Sequence, residues 1–193
     1  MKPLIFATNN AHKVEEVKSI LNNSFHVLSL KEANINIDIP EPFETIKENA
    51  CEKARVIYSY TGKNCFAEDT GLEVFALEGA PGVRSARYAG ENASFGENID
   101  LLLQNLIHFE DRSCRFKTII CLIIKGEEYT FEGICNGYII HEKKGAGGFG
   151  YDAIFVPEGS EKTFAEMKMD EKNIFSHRKK AMDQLVEFLM SVR

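Results

Sequence analysis

An α/β fold built on a mixed sheet is what this chain predicts, and three observations predict it. A short apolar run, residues 3–8, is followed by Val14, Val17 and Leu21 at helical spacing. A second run, residues 25–30, precedes Thr45-Ile46-Lys47-Glu48, which has capping-box spacing ahead of a helix reaching about Tyr60. Residues 114–124 and 127–140, rich in Ile, Thr, Tyr and Phe, then read as two long strands with Lys125-Gly126 as their hairpin turn. The opening order is β-α-β-α, the pattern of α/β proteins.

The remaining elements follow from local signals. Residues 64–69 and 71–75 read as short strands separated by an acidic turn at Glu68-Asp69. Ser94-Phe95-Gly96-Glu97 is a second capping box, ahead of a helix over 98–108. Residues 151–156 read as a strand, and an amphipathic helix from Ser176 buries Ala181, Leu185, Phe188 and Leu189. No repeat, low-complexity tract or linker divides the chain. It is expected to form a single domain over 1–193, with residues of about 72–145 contributing much of a protruding lobe.

Composition narrows the function. With 193 residues, 44% of them hydrophobic, the chain can bury a core of its own. No apolar run approaches the roughly 20 residues of a membrane span, and MKPLIFATNN turns polar too early for a signal peptide. A cytoplasmic location without a membrane partner is therefore expected. The five cysteines are odd in number and lack a CxxC pair, so they read as reduced and structural. A net charge of −6 argues against nucleic acid as a partner, because a sequence-independent grip on phosphates needs a basic footprint. An anionic substrate then requires a local basic lining, a metal, or both.

Common phosphate signatures are missing or out of context. Gly62-Lys63 is followed by Asn64 and has no upstream P-loop glycine, and HExxH is absent. Gly145, Gly147 and Gly150 satisfy GxGxxG, but Lys143-Lys144 precede them where a dinucleotide site has an apolar strand. Five other places carry chemistry, each with an ordinary alternative. Thr8, Asn10 and Lys13 lie at a strand-to-helix turn that suits phosphate, or they form a simple helix cap with a solvated lysine. Glu68 and Asp69, followed by Thr70 and Gly71, can bind magnesium through oxygen and direct a water, or they are two solvated acids on a surface turn. Glu41, between Pro40 and Pro42, is a rigidly held ligand or a loop acid. Gly147 to Asp152 offer a flat ring at Phe149 beside a carboxylate, or a glycine turn with a buried aromatic. Lys172, His177 and Arg178 can hold phosphate or a base oxygen, or they are solvated surface.

Taken together, TNNAHKVEEV, ENACEKA, FAEDTGLEV, GAPGVRSARYAG, GAGGFGYDAIF, TFAEM and EKNIFSHRKKA resemble, in order and nearly end to end, the inosine triphosphate pyrophosphatase family, or XTP/dITP diphosphatases. The resemblance implies an elongated α/β fold around a long mixed sheet, with two lobes enclosing a central cleft, commonly a homodimer. It implies hydrolysis of non-standard purine nucleotides (ITP, dITP, XTP) to monophosphate and pyrophosphate, with Mg2+ as cofactor. By position, it assigns the phosphate loop to Thr8, Asn10 and Lys13, a metal-binding acid to Glu41, and metal binding plus general-base catalysis to Asp69. Lys53 falls on the helix lysine that reaches the triphosphate, and Thr70 on a substrate contact. Phe149, Gly150, Tyr151 and Asp152 fall on the nucleoside block, and Lys172, His177 and Arg178 on a C-terminal substrate clamp. Ala153 stands where many members have proline, and Glu-Asp-Thr replaces the frequent Asp-Asp-Ser; both changes keep the needed groups. A related pyrophosphatase of the Maf family would lack the SHR and FGYD blocks. A nucleotide-binding module without turnover has no need of Glu41, Lys53 and Asp69 together.

Overall fold

The computed structural model describes residues 3–21 and 25–192. The chain opens with β1 (Leu4–Phe6), α1 (Ala11–Leu21), β2 (Val27–Ser29) and α2 (Ile46–Thr61). The capping residues act as their spacing predicts: Thr45 accepts from the Glu48 N–H at the start of α2, and Gly62 closes the helix with φ 61. β3 (Cys65–Val74), β4 (Pro81–Gly82) and α3 (Phe95–Asn105) follow, α3 beginning in a full Ser94/Glu97 capping box. β5 (Ser113–Ile124) and β6 (Glu127–Ile139) are joined at Lys125-Gly126, both at positive φ, the backbone a tight two-residue hairpin demands. β7 (Phe155–Pro157), α4 (Met169–Phe175) and α5 (His177–Ser191) complete the order.

Among the described residues the strands form a seven-stranded sheet ordered β2-β1-β3-β5-β6-β7, with β4 on β3. β1 pairs parallel with β2 and with β3, whereas β3/β4 and β6/β7 are antiparallel, so the sheet is mixed as expected. Two expectations are corrected. The acidic stretch at Glu68-Asp69 is no turn: β3 runs unbroken through it, because both carboxylates are buried against basic partners and need no solvent. Residues 151–154 form a turn, held by Ile154 and Phe155 N–H groups donating to the Tyr151 carbonyl, and the strand begins only at Phe155. No helix among the described residues is long and apolar enough to cross a membrane.

The chain divides into two compact units. The first comprises Met1–Asp69, Thr118–Gly133 and Arg178–Arg193; the second comprises Thr70–Lys117 and Ile134–His177. In the first, Leu4, Val17, Phe66, Ile120, Leu122, Ala181 and Leu185 share a core in which the Phe6 and Phe66 rings stack at 4.5 Å. α5 supplies Ala181, Leu185 and Leu189 to it, while Phe188 is only partly buried, against Tyr129 and Phe131. In the second, Leu72, Leu102, Leu106, Phe116, Ile154, Phe155 and Phe164 form a separate core rich in rings.

Candidate active site

In the first unit α2 buries a stripe of Ile46, Asn49, Ala50, Lys53, Ala54 and Ile57, at the spacing of one helix face. Lys53 thus occupies a core position, 6% exposed, where a leucine would ordinarily stand. Its ammonium donates to Glu41 Oε1 at 2.5 Å and to Asp69 Oδ1 at 3.0 Å. Two acids 28 positions apart in the numbering therefore meet at one cation. Asn49, one turn before Lys53, exchanges two 2.9 Å bonds with the backbone of Phe43 and so fixes the loop that carries Glu41.

A second group lies on the neighbouring strand residue. Glu68 is fully buried and accepts a bidentate pair from Arg178, Nε and Nη2 both at 2.8 Å, with Lys13 Nζ at 3.3 Å. Arg178 also pairs through Nη1 with Glu16, which is buried on α1. Lys13 and Glu16, three residues apart, face this network. The opposite stripe of α1, with Ala11, Val14, Glu15 and Lys18, lines a cavity of about 850 Å3 together with Thr8 and Asn9. Thr8 and Asn10 cap the helix: Thr8 Oγ1 accepts from the Asn10 N–H, and Asn10 Oδ1 accepts from the Lys13 N–H.

The two acids of β3 differ in charge environment. Burial alone would raise the Glu68 carboxyl, but Arg178 and Lys13 outweigh it and hold it down at about 2. At Asp69 burial wins: the carboxyl stays above its ordinary value despite the pull of Lys53 and Lys13, with Glu41 pushing the same way as burial. Burial opposes the charge of Lys53 too, yet Asp69 and Glu41 overcome it and keep the ammonium protonated. The adjacent carboxylates are thus pushed in opposite directions, Glu68 toward its charged form and Asp69 toward its neutral one.

The second unit holds the nucleoside-block residues. Asp152 Oδ2 accepts from the Phe149 N–H at 3.0 Å and from Lys172 Nζ at 2.7 Å. The Lys172 ammonium lies over the Phe149 and Phe164 rings, 5.4 and 5.2 Å from their centroids. Gly148, at φ 71, leaves no room for a side chain, since a Cβ there would stand 2.2 Å from Asp152 Oδ2. Gly150 takes the next left-handed position, and Tyr151 turns inward to donate to the Ser85 carbonyl at 3.0 Å. His177 is buried, stacked on Phe116 with centroids 4.7 Å apart, and Thr70 continues β3 half-buried.

Glu41, Lys53 and Asp69 come together, as do Phe149, Asp152 and Lys172; Lys13 and Arg178 meet at Glu68. Sequence reading missed Glu16 and Asn49. Glu16 gives no local signal, being one of two adjacent acids in an amphipathic helix. Asn49 is legible after the fact as a polar residue on the apolar stripe of α2.

Fold and charge arrangement thus describe a mixed-sheet α/β chain with a buried acid–base centre. Residues 4–188 match the Ham1 family, and the chain belongs to it. It is 50% identical over 186 residues to the dITP/XTP pyrophosphatase of Christiangramia forsetii, covering 96% of this chain and 98% of the relative. The Staphylococcus aureus Ham1 protein superimposes with a TM-score of 0.89 at 38% identity, covering both chains completely. A HAM1 protein from Coxiella burnetii gives 0.90 at 36% identity, covering 99% of this chain and 100% of the other.

Proposed function

We propose that this chain is a nucleoside triphosphate pyrophosphohydrolase that converts dITP, ITP and XTP to the monophosphate and pyrophosphate, keeping them out of nucleic acid. The observation that carries the reading is the meeting of Glu41 and Asp69 at Lys53. Two carboxylates that already share one cation, with hard oxygen donors, fit a magnesium ion. Held by Glu41 and Asp69, that ion would supply neutralisation of charge on the triphosphate oxygens around the α-phosphorus.

The protein's own groups do the rest. Asp69, its basicity raised by burial, accepts a proton from a water that attacks the α-phosphorus. The bond from that phosphorus to its bridge oxygen breaks, and pyrophosphate leaves with the electron pair. Lys53 and Lys13 hold charge near the developing anions, while the N-terminus of α1, shaped by Thr8 and Asn10, favours phosphate. Arg178 acts through Glu68: its two bonds lock that carboxylate and with it the strand segment presenting Asp69 and Thr70.

In the second unit Phe149 offers a face for the purine, and Gly150, Tyr151 and Asp152 shape the turn that presents it. Lys172 and the His177 segment supply donors to the purine 6-oxo group. Adenine places an amino group there, and each donor left unmet costs about 1–3 kcal/mol, so ATP is a poor substrate. We also read the protein as a cytoplasmic homodimer; the five buried thiols agree with a reducing compartment. The decisive experiment incubates the chain with dITP, ITP, XTP, GTP and ATP plus magnesium and identifies products. Monophosphate and pyrophosphate from the first three are expected, and orthophosphate release from ITP would overturn the assignment. Sedimentation equilibrium checks the dimer, and omission of the metal checks the cofactor.

A further inference from the structure

The first unit carries a second cluster of ionisable groups that the proposed reaction does not use. Cys51 lies on the buried side of α2 at 3% exposure, and Cys121 lies on β5 at 0%. Glu128, near the start of β6, is solvent-exposed. The two sulfurs and a Glu128 carboxylate oxygen all lie within 4.8 Å of one another. Arg55 Nε and Nη2 each reach the Glu128 carboxylate at 2.9 Å. Arg55 Nη1 also approaches Glu52 at 3.9 Å.

We propose that Cys51, Cys121 and Glu128 form a binding site for a thiophilic divalent cation of the zinc and cadmium class. In a tetrahedral zinc site with Zn–S bonds of about 2.3 Å the two thiolates stand about 3.8 Å apart, within the spread seen here. Glu128 supplies the third donor, and its exposed side leaves an approach for the ion and a fourth position for water. The exchange balances: the cation displaces one proton from each thiol, so net charge is unchanged and Arg55 keeps an anionic partner. Two soft sulfurs distinguish this site from the all-oxygen pair Glu41/Asp69, which suits a hard cation. The inference is independent of the proposed reaction.

The test titrates the whole chain, kept reduced with a phosphine, with Cd2+ alone at about neutral pH. One equivalent is expected to raise thiolate-to-metal charge-transfer absorption and to release close to two protons per ion. Cys51→Ser and Cys121→Ser should each remove the absorption, whereas Cys114→Ser, at a buried thiol of the other unit, should leave it. Glu128→Gln alters an exposed side chain and keeps the fold; it should weaken binding about tenfold or more. Several results would overturn the site: no charge-transfer band at one equivalent, a band surviving both serine variants, proton release near zero, or an unchanged affinity in Glu128→Gln. Loss of two thiols to a disulfide under reducing conditions would do the same.

Discussion

The two units bury charge in different ways. In the first, seven ionisable side chains, Lys13, Glu16, Glu41, Lys53, Glu68, Asp69 and Arg178, share multi-partner networks that push neighbouring carboxyls in opposite directions. In the second, Lys172 and Asp152 form an ion pair buried beside the flat faces of Phe149 and Phe164. A network that splits pKa values suits proton transfer and phosphate charge, while an ion pair set against rings suits recognition of a flat, polar-edged base. The contrast teaches that burial alone does not mark chemistry; the number and sign of partners do.

The contrast can be broken by substitution. Arg178→Met should be the most damaging to folding, because Glu68 and Glu16 would be left buried without their guanidinium. A loss of about 3–5 kcal/mol in urea unfolding is expected; a loss under about 1 kcal/mol would mean that the triad is not structural. Asp69→Asn keeps the shape of the side chain but removes its basicity and charge, so turnover of ITP should fall at least about a hundredfold. Near-normal turnover would remove Asp69 from its role.

Acid unfolding sharpens the picture at Glu68. Its carboxyl is held at about 2 against an ordinary 4.5, so the folded state binds that proton more weakly than the unfolded state. The stability it contributes is therefore complete above its unfolded value and is lost as pH falls toward 2, on the order of 3 kcal/mol in all. Asp69 runs the opposite way, its raised value favouring the folded state as pH falls. A Glu68→Gln variant should show a flatter acid limb of unfolding midpoint against pH, and an equally steep limb would refute the assignment. The smallest effect belongs to the second unit: Phe149→Ala should raise KM for ITP by about tenfold, through loss of stacking worth about 1–3 kcal/mol, while kcat holds. A fall in kcat with unchanged KM would place Phe149 in the chemistry instead.

Much of the fold was legible because its signals are local. The Thr45/Glu48 and Ser94/Glu97 spacings, the Lys125-Gly126 turn and the periodicity of α1 and α5 act within a few residues, and each element forms where they indicate. Lys53 was legible through the family resemblance alone, and the structure shows it on the apolar stripe of α2. The strand running through Glu68-Asp69 was not. Two adjacent acids beside a glycine look like a turn to any local rule, and only Arg178, far along the chain, and Lys53 of α2 make a buried strand tolerable there. Glu16 stayed hidden for the same reason.

By itself, then, the sequence determined the α/β class, the order of most helices and strands, a net charge of −6 and the family blocks, since these depend on side-chain type and short-range backbone geometry. Tertiary structure alone decided which acids are paired, which of two neighbouring carboxyls holds its proton more tightly, and that the Cys51 and Cys121 sulfurs lie within 4.8 Å of each other. Those outcomes depend on desolvation and Coulomb terms between residues distant in the chain, which have no value until the chain has folded.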